Sequence, residues 1–455
     1  MPTKDIKIFS NIIEESAIEQ IQAIAYHPCV NHSVRIMPDV HAGAGCVIGF
    51  TGLFTRGVVP NVVGVDIGCG VGVYRLGVDF EKFVFLLSKV FGFLKEDELF
   101  TFFDERIRNT IPTGMRCRNP FPNNKLSEQE RVVLEKSEHI LQEISPQKYI
   151  LPGAQLGTLG GGNHFLEVDR GEYGECYLVV HTGSRNFGHK IGSFFQKQAK
   201  IIQEHLFKEK QKRFNGKHFT AIFSQYINTP TQKGLELLPC TGVDSEAYQR
   251  FPLFTAEKYV EYAHVAQEYA QLNRKRIIME IVTNILGLSF DPKHYSESVH
   301  NYMERQGDDT PSLMVRKGAI SAKEHEQVII PLSMRDGCII GSGKGNSDWN
   351  YSAPHGAGRV AGRADMNRKL ESGEVTMDDF KEDMRGIYTC SVTEGTIDES
   401  SFAYKSPGDI IDVIQGNTID IHAIIHPVFN LKDRGRDEDR KVNFQPPSRD
   451  IKIGI

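Results

Sequence analysis

The sequence predicts a protein of mixed helices and strands, on the basis of two observations. Short apolar segments such as Cys176–Val180 and Val328–Leu332 end in polar or glycine-rich loops, which is typical of buried strands. Long segments with helical spacing lie between them, and the longest is Thr255–Leu286, where Thr255 can cap the first turn. The length of 455 residues favours two or three domains, although a single domain of this size also occurs.

The composition predicts a soluble protein of a reducing compartment. Apolar residues make up 40% of the chain, which is enough to fill a large core, and the eight cysteines form no C-x-x-C pair. No apolar run approaches the ~20 residues of a membrane span, and the N-terminus lacks the apolar core of a signal peptide. A cytoplasmic location is therefore expected. With a net charge of -5, the chain would need a local basic patch to bind a nucleic acid.

The first part of the chain is expected to contain short strands and several helices. The expected elements are a strand at Ile6–Phe9, a helix opened by a capping box at Ser16–Glu19 and ending before His27, a glycine-rich loop at Met37–Gly45, a buried strand at Val58–Val65, helices over residues 80–150, and a glycine loop entering a strand across Leu156–Val168. Val58–Val65 is assigned to a strand because valine fills most of it, and the loop that follows must pack tightly.

The second part is expected to begin with a helix at His189–Phe214. The further elements are an irregular segment over residues 215–253, the long helix at Thr255–Leu286, a helix across Glu297–Glu304, strands at Val328–Leu332 and Cys338–Ile340, a helix at Val360–Leu370, and a pair of elements over Asp409–Phe429. The residues after Lys432 are highly charged and are predicted to form a solvated tail.

The segment Ser352–Arg359 (SAPHGAGR) combines a histidine, a Gly-Ala-Gly run and an arginine. Pro354 restricts the chain before His355, which places the imidazole at a stiff entry to the predicted helix. Glycines allow backbone N–H groups to approach a ligand, a helix N-terminus favours anions, and Arg359 suits phosphate oxygens. The segment therefore indicates a phosphate cradle with a nucleophilic histidine. The alternative is a glycine-rich turn with a structural histidine.

Four further segments carry side chains that can bind a metal at the ends of strands or in loops. The candidate ligands are Asp66, Cys69, His164, His181 and His300. Each of these residues, taken alone, could have a purely structural role. Together, however, one carboxylate, one thiolate and three imidazoles suit two metals bridged by the thiolate. Ligand softness alone favours Zn²⁺. Two metals beside a histidine and a phosphate cradle indicate phosphoryl or nucleotidyl transfer, with His355 as covalent nucleophile.

Six motifs in fixed order resemble one family. They are PDVHAG (Pro38–Gly43), GVDIGCG (Gly64–Gly70), LGTLGGGNHFLEV (Leu156–Val168), HTGSR (His181–Arg185), HN (His300–Asn301) and HGAGR (His355–Arg359). The set resembles the RtcB family of RNA-splicing ligases over nearly the whole chain. The resemblance implies one α+β domain, residues 1–432, with central β-sheets flanked by helices. It also implies a possible insertion at 205–253 and a charged tail at 433–455.

The resemblance implies a GTP-dependent ligase that uses two Mn²⁺ ions. Members of the family join an RNA 3′-phosphate or 2′,3′-cyclic phosphate to a 5′-hydroxyl, in RNA repair or tRNA splicing. By position, His355 matches the histidine that becomes guanylylated, and Cys69 matches the ligand shared by both metals. His164 and His181 would complete one metal site, and Asp66 and His300 the other.

The remaining implied roles concern the phosphates, the guanine and the RNA ends. Catalytic roles are implied for Arg359, for Asn163 as a phosphate contact, and for Arg185 and Asp39 near the RNA ends. Nucleotide contacts are implied for Asn163, His164, Phe165, Leu166, Glu167, His300, Asn301, Ile340, Gly341, Ser342, Gly343, Ser347, His355, Gly356, Ala357, Gly358, Tyr404 and Lys432. Glu167, Ser347, Tyr404 and Lys432 would surround the guanine.

The chain departs from the family pattern in three places, which favours a divergent branch. The usual Gly-Ser-Met-Gly loop is assigned to Gly341–Gly345, and the chain between Ser347 and His355 is shorter than is usual. The tail extends beyond Lys432, where family members normally end, and its basic residues are either solvated or in contact with RNA. Those residues are Arg434, Arg436, Arg440 and Lys441.

Two other functions remain open from the sequence. One is a dimetal phosphodiesterase that opens cyclic phosphates without ligation and without GTP. The other is a non-catalytic RNA-binding protein on the same scaffold, whose binding would depend steeply on salt and which would take up no metal.

Overall fold

The computed structural model describes residues 5–55, 57–213, 235–239, 255–307 and 312–434. Much of the predicted insertion at 205–253 and all of the tail after residue 434 lie outside these residues. Among the described residues, no helix combines the length and the apolar character needed to cross a bilayer.

Two large sheets organise the described residues. The strands are β1 Asp5–Ile8, β2 Val30–His41, β3 Ile48–Phe54, β4 Gly57–Val58, β5 Gly70–Asp79, β6 Phe165–Arg170, β7 Glu175–Thr182, β8 Leu238–Pro239, β9 Tyr295–Val299, β10 Asn301–Gln306, β11 Ser312–Lys317, β12 Ala319–Ser321, β13 Gln327–Pro331, β14 Cys338–Gly343, β15 Ser352–Pro354, β16 Tyr388–Thr389 and β17 Ile419–Leu431. A five-stranded sheet has the order β1-β2-β3-β11-β10. An eight-stranded sheet has the order β13-β14-β17-β6-β7-β5-β9, with β16 paired to β17.

Pairing within these sheets is mainly antiparallel, with β1–β2 and β16–β17 as the parallel pairs. Parallel neighbours would require long crossover connections, usually helical, whereas antiparallel neighbours such as β6 and β7 need only a short turn. The helices therefore lie outside the sheets rather than alternating with every strand, and the α+β class is confirmed.

The helices cover the sheets from several sides. They are α1 Glu15–Ala25, α2 Pro60–Val63, α3 Phe80–Phe91, α4 Glu96–Thr110, α5 Glu128–Ile144, α6 Arg185–Arg213, α7 Ala256–Glu280, α8 Arg363–Ser372, α9 Met377–Asp383 and α10 Pro407–Ile414. As predicted, the Thr255 hydroxyl caps α7 by accepting from the Lys258 N–H, and a π-helical turn extends that helix to Ile285.

The eight-stranded sheet is buried on both faces. On one face, Leu178 packs in a cluster with Phe83 and Phe103, which come from α3 and α4. On the other face, Val179 packs in a cluster with Ile329 of β13. Strand β13 also contacts β5 and β9, so the sheet curls until its first strand covers part of its own inner face. This closure creates a sheltered end of the sheet, where the candidate site lies.

Three predicted elements around the site are wrong. Only Gly57–Val58 of the predicted valine-rich strand pairs with another strand, because Pro60 lacks an N–H for a ladder and instead opens α2. His300 lies between β9 and β10 rather than on a helix. Strand β2 continues to His41 through an irregular register after Ile36, so part of the predicted loop is a bulged strand end.

Three predicted helix starts also differ from the structure, and one of them is α6, which begins at Arg185 rather than at His189. Helix α1 begins at Glu15, which leaves Ser16 inside the first turn instead of at the cap. Helix α8 begins at Arg363, so His355 follows strand β15 and does not lie at a helix N-terminus. The predicted dipole contribution to the phosphate cradle therefore has no structural basis.

Arg274 of α7 supports the loop that carries Asp66 and Cys69. Its guanidinium is fully buried and donates to the Gly68 carbonyl at 2.7 Å, to the Thr182 carbonyl at 2.9 Å and to the Glu297 carboxylate at 2.9 Å. The side chain thus joins the loop before β5 to the end of β7 and to the middle of β9.

We expect Arg274→Met to lower the free energy of unfolding by about 3–5 kcal/mol, because Glu297 would be left as a partly buried charge without its partner. Denaturant unfolding measures this difference. The exposed Gln271 on the same helix offers a control, and Gln271→Met should change stability by less than about 0.5 kcal/mol. A loss below about 1 kcal/mol in Arg274→Met would contradict the supporting role.

Candidate active site

Strand register brings the five predicted metal ligands to one end of the eight-stranded sheet. Phe165 pairs with His181, and Gly70 pairs with both Thr182 and Val299. His164 directly precedes β6, Cys69 directly precedes β5, and His300 directly follows β9. Because these strands are neighbours and antiparallel, residues far apart in the sequence meet at a single edge.

The ligand atoms form two groups that share the Cys69 thiol. In one group, His164 Nε2 lies 3.0 Å from Asp66 Oδ2 and 3.5 Å from Cys69 Sγ. In the other, His181 Nε2 lies 3.3 Å from Cys69 Sγ and 3.3 Å from His300 Nε2. Within each group the ligand atoms lie within 4.8 Å of one another. The family resemblance implied a different division, with His164 and His181 in one site and Asp66 and His300 in the other.

The donor set fits metal binding. The second ring nitrogens of His164 and His181 lie 3.0 Å and 3.2 Å from the carbonyls of Leu159 and Asn163, which directs both Nε2 atoms towards Cys69. Burial and the neighbouring histidines lower the pKa of His181 and His300, so both rings are neutral and can act as ligands. Burial and Asp66 raise the pKa of the Cys69 thiol, whose proton a metal would displace.

His355 is held beside this group by Asp39. The Asp39 carboxylate is fully buried, and its Oδ2 atom accepts hydrogen bonds from His355 Nδ1 at 2.6 Å and from the His355 backbone N–H at 3.0 Å. Since Nδ1 is occupied, Nε2 is the nitrogen left for chemistry. The ring centroids of His355 and His300 are 4.8 Å apart. Asp39 was predicted to lie near the RNA ends, whereas the structure places it against the predicted nucleophile.

Close packing explains one glycine of the Gly-Ala-Gly run. Gly358 has a φ of +78°, and a Cβ atom there would lie 2.3 Å from the carbonyl oxygen of Asp39. The backbone of the HGAGR segment therefore packs directly on the strand end that anchors His355. At this position the glycine is required for packing, rather than for close approach to a phosphate.

Arg359 is paired with carboxylates rather than free to bind a phosphate. Its guanidinium lies 2.5 Å from Glu399 and 3.7 Å from Asp398, and it stacks 4.8 Å from the Tyr404 ring centroid. Glu399 also accepts from the Tyr404 hydroxyl and from Lys432 Nζ, each at 3.0 Å. Glu399 was not predicted as a site residue, because nothing in its local sequence distinguishes it from the neighbouring acidic residues.

Glu399 is expected to contribute stability that depends on pH. Burial raises the pKa of Glu399, but Lys432 and Arg359 outweigh this effect and hold the pKa at about 2. Its contribution is therefore fully present above the unfolded value of about 4.3 and is lost as the pH falls towards 2. We expect Glu399→Gln to cost about 2–4 kcal/mol at pH 7, and less as the pH falls from 5 to 3.

Urea unfolding of the wild-type protein and of Glu399→Gln at pH 7, 5 and 3 measures the loss of stability at each pH. The exposed Glu324 gives a control, because Glu324→Gln removes a carboxylate whose side chain is 77% exposed and should leave stability nearly unchanged. A cost for Glu399→Gln that is the same at every pH would contradict ionisation of Glu399 as the origin of the effect.

A cleft of about 900 Å³, including space open to solvent, connects the two groups of candidate metal ligands with His355 and Glu399. The predicted residues that line it are Asp66, Cys69, Asn163, Phe165, Glu167, His181, His300, Asn301, His355, Gly356, Ala357, Gly358, Arg359, Tyr404 and Lys432. Most of the predicted site residues therefore meet around one cavity. Glu167 lies at its buried end, with 2% of its surface exposed.

Several predicted nucleotide contacts lie elsewhere. Leu166 belongs to the apolar cluster on the opposite face of the sheet. Residues Ile340–Gly343 form most of β14, where they pair with β13 and β17, and Ser347 begins a short turn at Ser347–Trp349. The lining of the cleft includes none of these residues.

The loop that follows β13 lines the cleft in their place, through Pro331, Leu332, Ser333 and Met334. Gly341–Gly345, to which the family's Gly-Ser-Met-Gly loop was assigned, therefore does not line the cleft. The loop that does line it also carries a Ser-Met pair, at Ser333–Met334, a signal that the assignment overlooked.

Two basic residues that were predicted to lie near RNA bond instead to other residues of the protein. Arg185 donates to the Gly114 carbonyl at 2.8 Å and to the Thr158 hydroxyl at 3.1 Å, so it holds the glycine loop before His164. Arg434 lies 3.0 Å from Asp104, which ties the beginning of the predicted tail to α4. Arg436, Arg440 and Lys441 lie outside the described residues.

Known proteins of one family match nearly the whole chain. The family model described as tRNA-splicing ligase RtcB matches residues 20–433. The chain is 27% identical over 436 residues to RNA-splicing ligase RtcB of Escherichia coli K12, covering 91% of this chain and 92% of that protein. It is also 27% identical over 465 residues to tRNA-splicing ligase RtcB of Archaeoglobus fulgidus, covering 89% and 88%. The chain therefore belongs to the RtcB family.

Proposed function

We propose that the protein is an RNA ligase that joins a 3′-phosphate or 2′,3′-cyclic phosphate end to a 5′-hydroxyl end, through a GMP–histidine intermediate on His355. The observation that carries the proposal is the His355–Asp39 pair facing a cleft beside five metal-competent residues. The names of the relatives, RNA-splicing and tRNA-splicing ligase, support RNA as the substrate.

His355 acts first, as the nucleophile towards GTP. Its Nδ1–H donates to Asp39, which leaves the lone pair on Nε2 to attack the α-phosphorus. A P–N bond forms, the bond from the α-phosphorus to the bridging oxygen breaks, and pyrophosphate leaves. Asp39 stabilises the positive charge that develops on the imidazole, in the same way as the carboxylate of a catalytic triad.

The RNA ends then react in sequence. A cyclic phosphate is first opened by water to a 3′-phosphate, whose oxygen attacks the phosphorus of the GMP–histidine and frees Nε2. The 5′-hydroxyl then attacks the activated 3′-phosphate, forming the new phosphodiester and releasing GMP. Asn163, which lines the cleft next to the metal group, is proposed to position phosphate groups.

Two Mn²⁺ ions are proposed as cofactors, one held by Asp66, Cys69 and His164 and the other by Cys69, His181 and His300. When bound, they would act as Lewis acids that offset charge on phosphate oxygens. Softness of the thiolate and imidazole ligands alone would favour Zn²⁺, so the preference for Mn²⁺ rests on the family.

Guanine is proposed to bind at the buried end of the cleft. A Glu167 carboxylate can accept from the N1 and N2 hydrogens of guanine, and Lys432 can donate to O6. Phe165 and Tyr404 supply the apolar walls of this part of the cleft. Arg359 is proposed to hold Glu399 and Tyr404 in place, given its contacts with both.

Incubation with α-labelled GTP and Mn²⁺, followed by denaturing electrophoresis, tests the proposal. Label should remain on the protein, should be released by acid and should resist base. A panel of RNA ends should show sealing only for a 3′-phosphate or cyclic phosphate with a 5′-hydroxyl. Opening of cyclic phosphates without GTP or joining would indicate the phosphodiesterase instead, and RNA binding without either reaction would indicate the non-catalytic scaffold.

A further inference from the structure

A second group of acidic and thiol side chains lies behind the cleft, apart from the pair of metal groups at Cys69. Glu167 and Asp169 are two residues apart on β6 and therefore face the same side of the sheet. Cys338 begins β14. A carboxylate oxygen of each acid and the thiol sulfur all lie within 4.8 Å of one another. The exposed fractions of Glu167, Asp169 and Cys338 are 2%, 0% and 0%.

Polar atoms in this group lack partners. Neither carboxylate oxygen of Asp169 has a hydrogen-bond partner among the described residues, and the same is true of Asn430 Oδ1. Asn430 is fully buried, pairs with Glu167 across β17 and β6, and donates from Nδ2 to Glu167 Oε1 at 2.5 Å. An unpaired carboxylate and an unpaired amide oxygen in one dry place cost several kcal/mol, so a ligand that satisfies them is expected there.

The described surroundings of this group are largely apolar. Cys338 belongs to an apolar cluster with Val179, Ile329 and Ile425. Burial raises the pKa of both Glu167 and Asp169, and Lys432, whose charge acts on Glu167, already pairs with Glu399. Protons on the two acids are the alternative to a bound ion, and they would give no thiolate band with Co²⁺.

We infer that Glu167, Asp169, Cys338 and the Asn430 carbonyl oxygen bind one divalent transition-metal ion, of which Zn²⁺ is the best match. Two carboxylates, a thiolate and an amide oxygen provide four donors of the kind that suit a closed tetrahedral site. Binding would release the thiol proton to solvent, and the ion would offset most of the charge of the three anionic ligands.

The site would fix the floor of the cleft, because Glu167 lines the cleft and also belongs to this group; one of its oxygens would bind the ion and the other would remain available to guanine. Any effect on guanine binding rests on the proposed function, whereas the metal site itself does not. Its test therefore uses neither GTP nor RNA, and it can fail or succeed independently of ligation.

Co²⁺ serves as the probe, because thiolate ligation to Co²⁺ gives a charge-transfer band in the near ultraviolet. Cys69→Ser removes the other thiolate ligand, so a band that remains in this variant reports a different cysteine. We expect the band to persist in Cys69→Ser, to persist in Cys69→Ser/Cys46→Ser, and to disappear in Cys69→Ser/Cys338→Ser. Cys46 is an equally buried cysteine outside the group and provides the matched control.

A second readout guards against misfolding of the double variant. In the Cys69→Ser background, Asp169→Asn keeps the thiol and should weaken Co²⁺ and Zn²⁺ binding by at least about tenfold. Zn²⁺ should also raise the melting temperature of Cys69→Ser, and by less after Asp169→Asn. Absence of the band in folded Cys69→Ser protein, or its persistence after removal of Cys338, would overturn the inference.

Discussion

His355→Ala is expected to abolish covalent labelling by GTP and to lower RNA joining by about 10⁴-fold or more, because no other group at this position can carry the guanylate. The change removes a partly exposed ring, with 18% of its side chain accessible, so folding should be retained. Labelling with α-labelled GTP and single-turnover ligation measure the two losses. His325→Ala removes an exposed histidine on a turn and should leave both activities unchanged.

Asp39→Asn tests how Asp39 orients the His355 ring, while the ring itself is retained. An amide in place of the carboxylate can hold the ring with the proton on Nε2, which removes the attacking lone pair and the charge that stabilises imidazolium. We expect labelling to slow by about 10²–10⁴-fold while GTP binding persists. Asp378→Asn, at a 90% exposed carboxylate, is the control. An unchanged labelling rate in Asp39→Asn would contradict a role for Asp39 in positioning His355.

Cys69→Ala is expected to remove both ions of the metal pair at once, because the thiol belongs to both ligand groups. His164→Ala and His300→Ala should each weaken one ion and leave the other. Metal content measured by mass spectrometry after dialysis against Mn²⁺ distinguishes these outcomes. Ligation should fall by about 10³-fold or more in Cys69→Ala, since phosphate charge would no longer be offset.

The matched control for Cys69→Ala is Cys46→Ala, another buried cysteine that does not belong to a ligand group. Both substitutions remove a small buried thiol, so their effects on the free energy of unfolding in the absence of metal should be similar. Retention of the full Mn²⁺ content in Cys69→Ala would show that the two groups do not share this ligand.

The sequence was most informative where function requires a particular chemistry at a strand end. Cys69, His164 and His181 could be predicted because each stands in a distinctive motif next to an apolar strand. Their division into two groups could not, because it depends on side-chain directions at the meeting of four strands. His300 was predicted as a ligand even though its secondary structure was wrong, since the motif and not the helix carried the prediction.

Residues that act through distant contacts were harder to predict. Asp39 and His355 are separated by 316 positions, and only the packing of β2 against the HGAGR segment reveals their pairing. Glu399 has no distinctive neighbours in sequence. The assignment to Gly341–Gly345 has a different origin, because it followed the glycines after β14 and not the Ser-Met pair of the loop before β14, which lines the cleft.

The anchor of His355 and the metal ligands belong to different sheets. Asp39 lies near the end of β2 in the five-stranded sheet, whereas Cys69, His164 and His181 lie at one end of the eight-stranded sheet. Chelation should consequently leave the imidazole in its place, so that the apoprotein retains a preformed nucleophile. Reconstitution should then require only ion capture, without refolding of the segment that is proposed to receive the guanylate.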